Sequence, residues 1–220
     1  MKNLKYLLFF IPFLFISCFD IVEKIKLNND GSGEYSIILN ASKSKTRLTS
    51  IMKMKTINGK KVPSNAEINS KVTEVSNQIK QISGISDVVT SVDLSQYIVK
   101  LNFNFKSVEN INSSLETLKA KKLIDSKIPA QLYTYQKEKK LLIKNNQNTF
   151  KKEYSKMKAA DKEALSNANY TVIMQFQENI KSQTNVSYQV SPNKKALKLN
   201  GAILDFINQK KNFQNTVQIN

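Results

Sequence analysis

The segment spanning residues 97–105 constrains the fold of this chain more than any other stretch. Aromatic or aliphatic residues, from Tyr97 to Phe105, occupy every second position, and mainly polar residues lie between them. This period of two predicts a β-strand with one buried and one solvated face. Strands of this kind belong to antiparallel sheets covered on one side, because strands of doubly wound parallel sheets are apolar throughout.

Other alternating segments predict that this strand belongs to a sheet built from hairpins. Residues 21–27 and 35–39 flank an Asn/Asp/Gly-rich turn at 28–33, a composition that supplies the positive φ angles of tight turns. Further strands are predicted at residues 85–94, 132–135, 141–143, 170–176, 186–190 and 197–199, and Val217 and Ile219 are expected to close the sheet.

The strongest helix signal follows Ser64. An apolar stripe with steps of four, three, four and three residues comprises Ile68, Val72, Val75, Ile79 and Ile82. Ser64 and Glu67 have the spacing of a capping box, and Gly84 marks the end of the pattern. Weaker patterns predict helices within residues 42–55, 107–121, 151–167 and 201–210. The predicted fold class is α+β: an antiparallel sheet built from hairpins, with helices packed on one face.

The charge of the chain is strongly positive but carried almost entirely by lysine. The formal net charge is +17, and Arg47 is the single arginine among 34 basic residues. Such a charge favours an anionic partner, such as a phospholipid head group or an acidic polymer, or reflects lysine-rich composition on solvated faces. The near absence of arginine, which makes bidentate contacts with phosphates and guanine, argues against nucleic acid as a partner.

The first 18 residues have the layout of a bacterial secretory signal. Lys2 and Lys5 precede an apolar run at residues 7–16, which is too short to span a bilayer, and Ser17 precedes Cys18, the only cysteine of the chain. The sequence Phe15-Ile16-Ser17-Cys18 resembles the lipobox of bacterial lipoproteins. The resemblance implies a signal peptide at residues 1–17 and a diacylglyceryl anchor on Cys18. It also implies that residues 18–220 form a single α+β lipoprotein domain. An uncleaved short anchor, or a conventional secretory signal with a free thiol, is the alternative.

Two longer segments extend the resemblance. Cys18, the hairpin KIKLNNDGSGEYSIILNAS and the later segments VIMQFQENIKSQTN and SPNKKALKLN resemble a group of uncharacterised Bacteroidota envelope lipoproteins and, more loosely, the LppM-type lipoprotein domain. The resemblance implies an α+β envelope lipoprotein and assigns no catalytic residue. Asp20 lies one position later than the aspartate that retains some lipoproteins in the inner membrane, so the implied location is the outer membrane of a Gram-negative bacterium.

The residue types needed for common enzyme chemistry are missing or scattered. The chain has no histidine, which excludes Ser-His-Asp and Cys-His catalysis and every histidine-containing metal site. Ser42 and Ser155 each precede a lysine by three positions, but no other motif of Ser-Lys enzymes accompanies them. The carboxylates Asp87 and Asp93 are too loosely placed for an acid–base pair. We therefore predict no enzyme, no catalytic, metal-binding or cofactor-binding residue, and no cofactor.

Two functions remain open from the sequence. The first is a non-enzymatic interaction or scaffold module, anchored to the membrane and acting on an envelope protein partner. The second is a binder of lipid or an anionic polymer, in which lysines surround an apolar cleft on the inner face of the strand at residues 97–105. The distribution of the lysines separates them: clustering around a groove favours the second, and an even spread favours the first.

Overall fold

A computed structural model describes residues 19–57, 59–146 and 150–220. The described strands are β1 (Asp20–Leu27), β2 (Gly33–Asn40), β3 (Thr56–Ile57), β4 (Lys60–Lys61), β5 (Ile85–Asp93), β6 (Ile98–Phe105), β7 (Tyr133–Gln136), β8 (Leu141–Lys144), β9 (Asn169–Phe176), β10 (Ile180–Gln183), β11 (Gln189–Val190), β12 (Ala196–Ala202) and β13 (Asn215–Ile219). The described helices are α1 (Lys45–Met52), preceded by a 3₁₀ turn (Ser42–Ser44), α2 (Asn65–Lys80), α3 (Glu109–Ala120), α4 (Phe150–Lys156), α5 (Ala159–Ser166) and α6 (Ile203–Ile207).

Two sheets share one core. The larger sheet has seven strands in the order β11-β12-β9-β1-β2-β6-β5, and the smaller has four in the order β10-β13-β8-β7. Inward residues of the larger sheet, such as Ile25, Phe103 and Met174, join Tyr133 and Val217 of the smaller sheet in one buried cluster. The predicted α+β class is confirmed.

The helices with the clearest amphipathic patterns pack into the same cluster. Ile79 of α2 and Ile111 and Leu118 of α3 are buried with the inward residues of the larger sheet. The predicted capping box at the start of α2 is present: the Glu67 amide donates to Ser64 Oγ at 3.2 Å, and the Ser64 amide donates to Glu67 Oε2 at 2.7 Å. The helix ends at Lys80, one turn before Gly84, whose φ is +85°.

The pairing of β1 with β9 differs from the predicted antiparallel arrangement. These strands run parallel, with Ile25 opposite Met174, whereas β1 and β2 form the predicted antiparallel hairpin. A parallel pair requires a long connection. Here the other described elements between β2 and β9 supply it, so the larger sheet is largely rather than wholly antiparallel.

Three other predictions were wrong in part. Residues 151–167 form two helices, α4 and α5, instead of one. The predicted strand at residues 186–190 shrinks to Gln189–Val190, and Val186 is 92% exposed. Val217 and Ile219 lie in an inner strand of the smaller sheet, between β10 and β8, and do not close the larger one.

Candidate functional site

Cys18, the only site residue predicted from the sequence, lies outside the described residues. The described chain begins beside it at Phe19, whose carbonyl accepts a hydrogen bond of 2.9 Å from the Asn169 amide. β1 starts at the next residue, Asp20. The predicted attachment point is therefore separated from the larger sheet by a single residue.

A buried ion pair connects the two sheets. Lys144 of β8 donates to both carboxylate oxygens of Glu23 in β1, at 2.9 and 3.0 Å, and both side chains are 0% exposed. Tyr133 donates to Glu23 Oε1 at 2.7 Å and Tyr170 to Glu23 Oε2 at 2.8 Å. The Lys144 ammonium also lies 4.3 Å from the centre of the Tyr133 ring, within cation–π range.

The surroundings of this cluster shift the pKa values of its members. Burial alone would raise the pKa of Glu23, but the charge of Lys144 and the three hydrogen-bonding partners outweigh it and lower that pKa. Burial lowers the pKa of Lys144 against the opposing effect of Glu23. Burial and the Glu23 charge raise the pKa values of Tyr133 and Tyr170, which keeps both hydroxyls protonated as donors.

The cluster is chemically suited to holding the sheets together. Its four polar groups are hydrogen-bonded to one another; Glu23, Lys144 and Tyr133 are buried in the core, and Tyr170 is half-buried. Sequence reasoning missed the cluster, although one signal was present. Glu23 falls in phase with Ile25 and Leu27, so a charged residue occupies an inward position of an alternating strand.

An apolar pocket of about 210 Å³ opens next to Phe19. Its lining comprises Phe19, Ile21, Tyr154, Met157, Leu165, Tyr170, Ile203, Phe206, Ile207 and Phe213. The rings of Phe206 and Phe213 stack with their centres 4.1 Å apart, and the Tyr170 ring meets Phe213 edge-on at 4.9 Å. The helices α4 and α5, which carry Tyr154 and Leu165, both pack on α6.

Two exposed apolar side chains lie at or beside the pocket lining. Leu39 of β2 lies opposite Ile21 in the register of the larger sheet and is 44% exposed. Met157, at the end of α4, is 37% exposed. Leu39 and Met157 extend the apolar surface at the end of the sheet where the described chain begins.

The outer face of the larger sheet carries several lysines. Because Glu23, Ile25 and Leu27 point into the core, Lys24 and Lys26 point away from it. Lys24 and Lys198 are both Cα partners of Ile173, on either side of it. At one end of this face, a cleft of about 460 Å³ has Lys26, Lys195 and Gln175 in its lining.

Lysines are not confined to this face. Lys71 and Lys80 are exposed on α2, and Lys137 and Lys139 are exposed in the turn between β7 and β8. The charge is therefore spread over several faces of the described surface.

The inner sheet face proposed from the sequence as a cleft is filled. Phe103 and Phe105 are 1% and 3% exposed and belong to the core cluster that includes Ile79 and Ile111. The predicted apolar cleft is therefore absent at Phe103 and Phe105, where residues of α2, α3 and the smaller sheet share the core with them. Tyr97, Val99 and Leu101 of the same stretch are half-buried.

The remaining chemical candidates have local structural roles. Ser155 Oγ donates to the Lys152 carbonyl at 2.7 Å, within α4. Asp87 accepts from Asn104 Nδ2 at 2.7 Å, and Asp93 accepts from the hydroxyl and amide of Ser95 in the turn after β5.

Among the described residues, no group of three or more metal-ligating side chains could hold a metal ion. Nor does any helix in the described ranges have the length and apolar character needed to cross a membrane.

Comparison with known proteins gives a distant structural likeness. No family model and no curated protein sequence matches the chain. The fold is similar to the folded domain of LppM from Mycobacterium tuberculosis, determined by NMR, with a TM-score of 0.42 and 10% sequence identity. The alignment covers 91% of this chain and 88% of that one. A fold likeness does not by itself specify a function.

Proposed function

We propose that this chain is a lipid-anchored protein of the bacterial cell envelope, held by a diacylglyceryl group on Cys18, and that it is a non-enzymatic interaction or scaffold module. The observation that carries the proposal is the short separation between Cys18 and the sheet, since β1 starts at Asp20. An anchor at Cys18 would present the fold directly at a bilayer surface. We assign the protein to the outer membrane of a Gram-negative bacterium.

The buried cluster supports the non-enzymatic part of the proposal. Strongly shifted pKa values often mark active sites, but buried structural ion pairs shift them as well. Here the shifted groups Glu23, Lys144, Tyr133 and Tyr170 satisfy one another within the core. The spread of lysines over several faces favours an interaction module over a dedicated binder of anions.

Metabolic labelling with an alkyne-tagged fatty acid tests the anchor. We expect label on the wild-type chain and on the Ser17→Ala control, which keeps Cys18 and a small preceding residue, and none on Cys18→Ser. Equal labelling of Cys18→Ser would contradict attachment at this residue. An unlabelled wild-type chain, in cells where other lipoproteins are labelled, would contradict the anchor altogether.

A second function is supported by the outer face of the larger sheet, where we propose binding to an anionic phospholipid surface. Lys24, Lys26, Lys100 and Lys198 surround the half-buried apolar residues Val22, Ile38 and Ile173. Lysines around apolar side chains combine attraction to phosphate with contact to the acyl boundary.

Vesicle flotation across a salt series tests this second function. Residues 19–220 are expected to float with phosphatidylglycerol vesicles at low salt, and to be released as salt screens the charges. The triple variant Lys24→Gln, Lys100→Gln, Lys198→Gln should bind more weakly than Lys71→Gln, Lys80→Gln, Lys139→Gln, which removes the same charge elsewhere. An equal loss of vesicle binding in both triple variants, or no binding of the wild type at low salt, would contradict a site on this face.

A further inference from the structure

We infer that the apolar pocket beside Phe19 binds one fatty acyl chain of the lipid anchor on Cys18. The inference rests on the proposed function, because it needs an acylated Cys18. It goes beyond that function by giving the anchor a binding site on its own protein.

The chemistry of the pocket fits a hydrocarbon chain. The aromatic group formed by Phe206, Phe213 and Tyr170 lines it. Leu165 and Ile203 contribute aliphatic surface to the same lining. The Tyr170 hydroxyl already donates to Glu23 at 2.8 Å, so the ring is the part of this side chain that faces the pocket. A ligand that needs hydrogen bonds would leave its polar groups unpaired there, whereas a hydrocarbon chain would not.

The size of the pocket suits part of a chain. Its volume of about 210 Å³ exceeds that of the engineered apolar cavity of about 150 Å³ that binds benzene. The pocket therefore accommodates a segment of an acyl chain longer than a benzene ring. The exposed residue Leu39, opposite the lining residue Ile21 in the sheet register, adds apolar surface beside it.

The position of the pocket selects the anchor as the occupant. Phe19 and Ile21 line the pocket, and Cys18 is covalently bonded to Phe19. Consecutive Cα atoms are about 3.8 Å apart, so acyl chains on Cys18 would be attached one residue away from the pocket lining, without a linker. A chain attached there enters the pocket in an intramolecular step, at an effective concentration set by the short tether.

Occupation of the pocket would change how the protein is held. A single acyl chain gives only marginal, reversible membrane binding, whereas two chains hold a protein stably. Withdrawal of one chain into the pocket therefore weakens membrane attachment. The bound chain would also fill the space between β1, α5 and α6.

Photo-cross-linking in living cells tests the inference on the full chain. Cells are fed a fatty acid that carries a diazirine near its methyl end, and are then irradiated. The protein is purified and digested with trypsin for mass spectrometry. We expect the acylated peptide 18–24 to be joined through its acyl chain to peptide 163–181 or 199–210, which carry Leu165, Tyr170, Ile203 and Phe206. Leu165→Trp, which fills the pocket, should lower this yield at least fivefold. Met54→Trp, at an exposed site outside the pocket, should leave the yield unchanged.

Each other outcome is distinguishable. Cross-linking of the pocket peptides to a separate phospholipid would overturn the anchor as occupant. Cross-links from the acylated peptide 18–24 to lipids alone would show that no chain enters the pocket, while leaving the proposed anchor intact. A peptide 18–24 without any acyl mass would refute the proposed function itself. The cross-links formed by the wild-type protein distinguish these outcomes even if Leu165→Trp fails to fold.

Discussion

Glu23 occupies an inward position of β1, where an apolar residue would ordinarily pack against the second sheet. Its charge is tolerated because Lys144, Tyr133 and Tyr170 supply hydrogen bonds to both carboxylate oxygens. Buried ion pairs of this type contribute little net stability compared with apolar residues of the same size, but they are costly to break. The pair joins the two sheets, because Glu23 lies in β1 and Lys144 in β8.

Removal of one partner should reveal that cost. We expect Lys144→Met to lower the free energy of unfolding by about 3–5 kcal/mol, because it leaves the Glu23 carboxylate buried without its counter-charge. The double variant Glu23→Leu, Lys144→Met should recover part of the loss but not all of it, because the Tyr133 and Tyr170 hydroxyls then lose their acceptor. Urea denaturation of the single and double variants measures both free energies of unfolding. A single variant as stable as the wild type would show that the pair is not desolvated.

The lowered pKa of Glu23 predicts how stability depends on pH. In the unfolded chain this carboxyl titrates near its ordinary value of 4.5, and in the folded protein it titrates below that value. The unfolded state therefore binds protons first as the pH falls. The stabilisation is present above about pH 4.5 and is lost as the pH falls through the folded-state pKa of Glu23.

Denaturation at a series of pH values checks this sign. We expect the free energy of unfolding to fall below pH 4.5 more steeply in the wild type than in Glu23→Gln, Lys144→Met, which has no carboxyl at this position. Identical slopes for the two proteins would mean that Glu23 does not have a lowered pKa.

At the scale of elements, the first hairpin depends on a close backbone approach at Gly33. A Cβ atom on Gly33 would lie 1.9 Å from the Lys26 carbonyl oxygen and 2.7 Å from Phe105 Cζ. Since backbone blocks the space, the strands would have to separate where β2 begins. This hairpin lies in the middle of the larger sheet, so the disturbance would reach both neighbours, β9 and β6.

Gly33→Ala should therefore destabilise the protein. We expect a loss of about 1–3 kcal/mol from overpacking, measured by thermal or urea unfolding. Ser36→Ala, on the outer face of the same strand, is the matched control and should change stability by less than about 0.5 kcal/mol. A Gly33→Ala protein that unfolds like this control would contradict the hairpin geometry.

Elements with strong local signals could be predicted from the sequence. α2 was predicted from its apolar stripe and its capping box, and β6 from its alternation. β10, with the sequence IKSQ, could not be predicted, because only Ile180 is buried in it. Its pairing with β13 depends on residues more than 30 positions away. Local patterns describe which face of a segment is buried, but not which segment lies beside it.

At the scale of the whole molecule, the partition into two sheets and the parallel pairing of β1 with β9 depend on such long-range contacts. Alternation indicates that one face of a strand is solvated, which favours an antiparallel sheet, but it does not exclude a single parallel pair such as β1 with β9. The ion pair between Glu23 and Lys144 was hidden for the same reason, since the two residues are separated by 121 positions. The apolar pocket is likewise assembled from β1, α4, α5, β9 and α6.

These separate parts meet at the end of the molecule where the described chain starts. Phe19 contributes to the pocket, Tyr170 joins the pocket to the buried cluster, and the apolar surface around Leu39 lies alongside. The proposed anchor on Cys18 would bring hydrocarbon chains to this end of the larger sheet, where described residues form the apolar pocket.

Mass spectrometry of the mature N-terminus, on protein extracted from membranes, tests the account most directly. We predict that the N-terminal peptide begins at Cys18 and carries the added mass of a diacylglyceryl group. An N-terminal peptide that begins at Met1, or one that contains an unmodified Cys18, would contradict it.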